Sequence, residues 1–163
     1  MRTSHTLPPL SVPTLVMLLT LLLGACASPP GDRAPRVTSV DDRRVAVVDV
    51  ATRQIGTPYR YGGNRPGGFD CSGLVQFAHG RVGIEVPRTT AGQWRSASPL
   101  DRDHLLPGDV LFFEIGGTKS RHVGIYEGSG RFIHAPSSGK PVGRASLDNP
   151  YWRSRWVASR TFI

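Results

Sequence analysis

The 163-residue chain is predicted to be an α+β domain, with N-terminal helices packed on an antiparallel sheet of about five to six strands. Three observations predict it. Apolar residues recur at helical spacing in the first half, as in Leu74, Val75, Ala78 and Val82 behind Cys71. After the turn Pro107-Gly108-Asp109 the texture changes to short runs of β-branched and aromatic residues. Helices first and strands afterwards segregate the two element types, which is the pattern of α+β domains.

The elements follow in order. Residues 1–25 read as a leader: Arg2 supplies a positive start, and the apolar run Leu10–Leu23 is too short to span a membrane. The run closes on Leu23-Gly24-Ala25-Cys26, which resembles the bacterial lipoprotein signal. The resemblance implies cleavage before Cys26, acylation of its sulfur and amine, and a lipid anchor in the membrane. Ala27 fits sorting to the outer membrane by the enterobacterial rule, so the expected location is the cell envelope. Residues 26–39 carry the lipidated end and a flexible tether rich in proline and small residues. Residues 40–163 have globular composition and the length of one domain with its own core.

Within the domain, Asp41 or Asp42 is expected to cap a first helix with Val45, Val48, Thr52 and Ile55 on its inner stripe, ended by Gly56 and Pro58. TPYRYGGNRPGGF is read as loop. A second helix opens at Cys71 behind the N-cap Asp70 and stops near Gly80 or Gly83. A third, TTAGQWRSA, is capped by Thr89 or Thr90. The strands VLFFEI, HVGIYEG, RFIHA, PVGRASL and WVASRTFI then form a meander.

Twenty Lys and Arg against twelve Asp and Glu give a formal charge of +8, which suggests an acidic partner. The basic residues are scattered, without the tracts or interleaved aromatics of nucleic-acid binders, so no nucleic-acid partner is expected. Outside the cytoplasm an anionic polymer such as bacterial cell wall fits better.

The chain has two cysteines. If Cys26 carries lipid, Cys71 is a solitary thiol in an oxidising compartment, which points to chemistry rather than packing. In the first turn of a helix, free N–H groups and the dipole are expected to favour its thiolate. A nucleophilic thiol needs an imidazole. His79 lies two helical turns away, about 12 Å by rise per residue, and His104 sits in a solvated loop. His122 and His134 lie on strands joined by a short hairpin. A three-residue loop Gly128-Ser129-Gly130 would pair Glu127 with Arg131 and Gly124 with His134. His122 then sits diagonally from His134 on the same face, roughly 7–8 Å away. By pattern alone the two rings read equally as base and orienting partner or as unrelated strand histidines. A Cys-His-His metal site is disfavoured, because no close pair of ligands joins Cys71 to either ring. Trp94, Trp152 and Trp156 are expected under the sheet rather than along a groove. Gly62, Gly63, Gly67 and Gly68 lack the strand and lysine of a phosphate cradle and read as turns.

The series PYRYGG, FDCSGLVQ, VPRTT, PGDVLFF, HVGIY and FIHA, with PYW near the end, resembles the NlpC-type cell-wall cysteine peptidases from about Val45 onward. Six motifs in order make the resemblance specific. It implies a papain-like fold, with Cys71 as nucleophile, His122 as general base and His134 as the group orienting it. It also implies that Tyr59 helps hold the oxyanion, and that Asp70 and Ser72 hold a polar end of the substrate. The implied activity is a peptidoglycan endopeptidase cutting stem-peptide bonds by a thiol mechanism, with no cofactor and no metal. The lipoprotein start and the lack of a second domain are most like the outer-membrane murein endopeptidases of that family, which favours cross-links between D-alanine and meso-diaminopimelate. The bond between γ-D-glutamate and diaminopimelate is the alternative, and a non-catalytic wall-binding lipoprotein a further one. Arg88 is expected to order the loop before the third helix. Lys119, Arg121 and Arg131 are candidates to meet stem-peptide carboxylates but read first as solvated.

Overall fold

The computed structural model describes residues 39–116, 121–136 and 139–163; the leader, Cys26, most of the tether and Lys119 lie outside them. The first helix, α1 (Val40–Thr52), opens earlier than expected, on Ser39 rather than on Asp41 or Asp42. The Ser39 hydroxyl accepts the Asp42 N–H at 3.0 Å, and the Asp42 carboxylate accepts the Ser39 N–H at 3.1 Å, so two orphan donors are satisfied reciprocally. The buried face is Arg44, Val47, Val50 and Ala51. This corrects the expected stripe, since Val45 is 58% exposed. A polar contact sets the rotation: Arg44 Nη1 donates to the buried Asp109 carboxylate at 2.7 Å and to the Pro107 carbonyl at 3.2 Å. A buried carboxylate without that cation would be costly, so Arg44 must face inward.

The loop after α1 contains a small ladder that the sequence reading missed, β1 (Asn64–Arg65) against β2 (Gly68–Phe69). Helix α2 (Cys71–Gly80) and helix α3 (Thr90–Ser96) lie where expected, on the caps Asp70 and Thr89. A Cβ on Gly73 would overlap the Gly63 carbonyl, so the first turn of α2 packs directly on the β1 backbone entry.

Six strands form one antiparallel sheet: β3 (Ser98–Leu100), β4 (Val110–Glu114), β5 (Arg121–Gly128), β6 (Arg131–His134), β7 (Gly143–Ser146) and β8 (Trp156–Thr161). Their spatial order is β3-β8-β4-β5-β6-β7. The meander therefore covers β4 to β7 only. A short helix α4 (Pro150–Arg153), capped by Asn149, turns the chain back, and β8 inserts between β3 and β4.

Both faces of the sheet are covered, which is why β4 reads as an unbroken apolar run. Val110, Phe112, Val123, Ile125 and Ile133 pack with Val47, Leu74, Val75 and Ala78 of the helices. Leu111, Phe113, Phe132 and Leu147 pack with Trp152 and Trp156 on the other side. All three tryptophans are half-buried, with Trp94 edge-on to Phe112 at 5.2 Å.

In the β5–β6 hairpin, Ile125 faces Ile133 and Tyr126 faces Phe132, the expected register. The turn itself differs. Ser129 and Gly130, with φ of 51° and 71°, form a two-residue loop, and Gly128 pairs with Arg131. Glu127 is then the extra residue of a bulge, which restores the alternation that a bare two-residue loop would reverse.

Candidate active site

Asp70 organises the head of α2. Its carboxylate accepts the Gly73 N–H at 2.7 Å, the Ser72 hydroxyl at 3.1 Å and the Gly62 N–H at 3.0 Å. Arg88 then grips it with two nitrogens, at 3.0 and 2.6 Å, and also reaches the Ser72 hydroxyl and the Gly63 carbonyl. Burial alone would raise the Asp70 pKa, but the bonds from Arg88 and Gly73 outweigh it and hold the carboxyl below its usual range. Arg88 is thus more than a loop residue. A buried carboxylate requires a cation, and Arg88 of VPRTT supplies it, although Arg60, Arg65 and Arg81 lie nearer in sequence.

Cys71 is a free thiol at the first position of α2. Its Sγ lies 4.0 Å from the Thr90 hydroxyl at the start of α3. Burial pushes the thiol pKa up, and the Asp70 charge adds to that. The N–H groups of Val123 and Ser72 and the Thr90 hydroxyl oppose the rise without reversing it. The expected lowering is corrected: the helix start favours an anion, but desolvation costs more. The Cys71 N–H donates to no acceptor among the described residues, as befits a helix N-terminus.

His122 and His134 lie on one face of the hairpin, and His122 Nε2 meets His134 Nδ1 at 2.8 Å. The rings cross at 85°. Trp152 lies over His122 at 5.7 Å and edge-on to His134 at 4.8 Å, and Phe132 closes on His134 at 5.2 Å. In this apolar box burial lowers the His122 pKa to about 3 and that of His134 to about 4, with smaller repulsion from His134 and Lys140 respectively. Both rings are neutral at ordinary pH. With Nε2 of His122 engaged by His134, Nδ1 is the nitrogen left for a reaction partner.

A cleft of about 600 Å³ brings together Tyr59, Asp70, Cys71, Ser72, Arg88 and His122, with Thr90 and Arg121 in its wall. His134 stands behind His122 rather than in the cleft wall. Burial raises the Tyr59 pKa, helped by Cys71 and Asp70, so its phenol stays a donor. His79 is fully buried at the far end of α2, with Nδ1 2.9 Å from the Val75 carbonyl, and His104 is exposed. Neither approaches the cleft. Thr90, expected only as an alternative helix cap, lies instead in the cleft, with Thr89 as the cap, and Arg121, expected to be solvated, lines the same wall. Arg121 is half-buried, its guanidinium 4.1 Å above the Trp94 ring. Among the described residues no cluster of three His, Cys, Asp or Glu side chains could hold a metal ion.

A thiol at a helix N-terminus, sharing a cleft with an imidazole steadied by a second polar ring on an antiparallel sheet, defines the class: a papain-like α+β cysteine hydrolase fold. The chain belongs to the NlpC/P60 family, whose model matches residues 56–161. It is 41% identical over 153 residues to the probable endopeptidase NlpC of Escherichia coli, covering 90% of this chain and 97% of that one. It is 43% identical over 113 residues to the murein DD-endopeptidase MepH of E. coli, covering 66% of this chain and 42% of that one. It is also 42% identical over 121 residues to the gamma-DL-glutamyl hydrolase of Bacillus subtilis, covering 72% of this chain and 29% of that one. The chain thus spans less than half the length of the last two relatives. A crystal structure of an NlpC/P60 family protein from Bacillus cereus superposes with a TM-score of 0.69 at 30% identity, covering 74% of this chain and 40% of that one.

Proposed function

We propose that the chain is a peptidoglycan endopeptidase in which Cys71 is the nucleophile, His122 the general base and His134 the residue orienting it. One observation carries the reading: Cys71 and His122 share a cleft, and His122 Nε2 is held by His134 at 2.8 Å. The neutral His122 carries its proton on Nε2 and donates it to His134 Nδ1, which leaves Nδ1 of His122 as a base. As Cys71 Sγ attacks a stem-peptide carbonyl, its proton passes to that Nδ1. The developing oxyanion lies at the Cys71 N–H and the Tyr59 hydroxyl. His122 Nδ1–H then protonates the leaving amine, the C–N bond breaks, and a thioester remains. Water, deprotonated by the same nitrogen, hydrolyses it and restores the thiol.

Because the thiol is raised and the imidazole lowered, the resting site is a neutral pair rather than a thiolate–imidazolium pair. Proton transfer accompanies attack. Asp70 and Ser72 shape the wall beside the nucleophile and, with Arg88, hold the substrate's polar end in place.

The bond cut is the cross-link between D-alanine and meso-diaminopimelate, in keeping with the likeness to a murein DD-endopeptidase. The γ-D-glutamyl–diaminopimelate bond is a second reading, favoured by the likeness to a gamma-DL-glutamyl hydrolase. Residues 1–25 act as a leader, Cys26 carries lipid, residues 27–39 tether the domain 40–163, and the site of action is the periplasmic face of the outer membrane. The pattern Leu23-Gly24-Ala25-Cys26 supports this. The purified chain is to be incubated with defined cross-linked muropeptides and the products weighed by mass spectrometry. Dimers resolved to monomers, with Cys71→Ala inert, is the expected result. Shortened stems beside intact dimers would favour the second bond, and sacculus binding without any cleavage would overturn the enzyme reading.

A further inference from the structure

The cleft wall contains three charged side chains among the described residues: Asp70, Arg88 and Arg121. The first two neutralise each other in the two-nitrogen contact described above. His122 is neutral. The net charge of the cleft is therefore that of Arg121.

Arg121 has no partner for that charge among the described residues. Its guanidinium carbon lies over the Trp94 ring, 4.1 Å from the centroid, and its Nε is buried without an acceptor. Glu114 stands opposite it in the β4–β5 ladder but forms no ion pair with it. A second guanidinium, Arg160, lies 4.4 Å from the same indole, and this one is anchored, its Nη1 donating to the Ala97 carbonyl at 2.9 Å. Two cations share one ring; the Nε of each is without an acceptor, but only Arg121, which faces the cleft, makes no side-chain hydrogen bond among the described residues. The indole contact holds the Arg121 head in the cleft wall, and its Nη groups make no hydrogen bond among the described residues, so they remain able to donate to an anion. An uncompensated, half-buried cation at a reaction cleft is a recognition element awaiting an anion.

We propose that Arg121 is a specificity-determining residue that binds a substrate carboxylate close to the scissile bond. The inference rests on the peptidase reading above for the kind of substrate. Stem peptides offer two such groups, the α-carboxylate of the γ-linked D-glutamate and the free carboxylate of diaminopimelate. Both present the same chemistry to a guanidinium.

The test uses the full chain and three muropeptide dimers: unmodified, amidated at the D-glutamate carboxylate, and amidated at the diaminopimelate carboxylate. Steady-state KM and kcat are measured for the wild type, Arg121→Gln and Arg121→Lys. Loss of a charge-assisted pair predicts a KM raised about 10- to 100-fold for Arg121→Gln on the unmodified dimer, with kcat within a few-fold. Arg121→Lys recovers part of this. Amidation of the recognised carboxylate raises the wild-type KM to a similar degree, and Arg121→Gln then adds no further loss on that dimer, which identifies the group. An unchanged KM, or an equal rise on all three dimers, overturns the proposal. The same dimers titrated calorimetrically into Cys71→Ala, with and without Arg121→Gln, give a second readout that needs no turnover. A wild type that fails to cleave but binds in an Arg121-dependent way refutes the peptidase reading and keeps this one; absence of that dependence refutes this one.

Discussion

Three histidines lose their usual basicity when the chain folds, and this makes stability fall steeply in mild acid. Burial holds His79 and His134 neutral down to about pH 4 and His122 down to about pH 3. In the unfolded chain each ring titrates near 6.5. Below that value the unfolded state binds more protons than the native one, so stability present above pH 6.5 is lost as pH falls toward the folded values. At pH 5 each ring contributes a loss of about 2 kcal/mol relative to pH 8, and the three together about 6 kcal/mol. A domain of this size has roughly 5–15 kcal/mol in total. Asp70, whose carboxyl is held low by Arg88, adds its own loss only at more acid pH, below the unfolded carboxylate range. Urea unfolding followed by tryptophan fluorescence at pH 8, 6 and 5 reads the effect. His79→Leu isolates one ring: its Nε2 has no partner, so an apolar replacement is tolerated at pH 8, and the acid loss drops by about a third. Equal unfolding free energies at pH 8 and 5, or an undiminished slope in His79→Leu, would refute the reasoning.

Other predictions follow from the cleft. Alkylation of Cys71 by iodoacetamide is slow at pH 6 and accelerates through pH 9, because the thiol is raised; a rate independent of pH between 5 and 9 would instead indicate a resting ion pair. Arg88→Leu strands the Asp70 carboxylate and costs about 2–3 kcal/mol by thermal or urea unfolding, discounted for the partial exposure of the arginine, with Arg88→Lys intermediate. Gly73→Ala drives a methyl into the Gly63 carbonyl, costing about 1–3 kcal/mol and displacing the start of α2, so turnover falls more than stability does. His134→Ala releases His122 Nε2 and lowers kcat on muropeptides about 10- to 100-fold, while His134→Asn, still an acceptor, retains more.

Local pattern was enough for the head of α2, since an Asp cap, a thiol and an apolar stripe all lie within a dozen residues. It was also enough for the two rings, because period-two alternation fixed their face even though the turn proved two residues long with a bulge at Glu127. What escaped was decided by partners far along the chain. Arg44 faces inward to meet Asp109, 65 positions later, and with it Val47, Val50 and Ala51 are buried instead of the expected stripe. The place of β8 depends on pairing with β3 and β4 together, which no run of residues encodes. The direction of the Cys71 shift depends on how much protein covers the sulfur, and dipole arguments made from the helix alone omit that.

The insertion of β8 between β3 and β4 has a consequence for biosynthesis. Cys71 leaves the ribosome well before Trp152, which roofs the imidazoles, and before the strand that closes the sheet. A chain made in sequence order presents its thiol early and its enclosed pair of imidazoles late. A hydrolase assembled in that order becomes competent only once its last strand has slotted home.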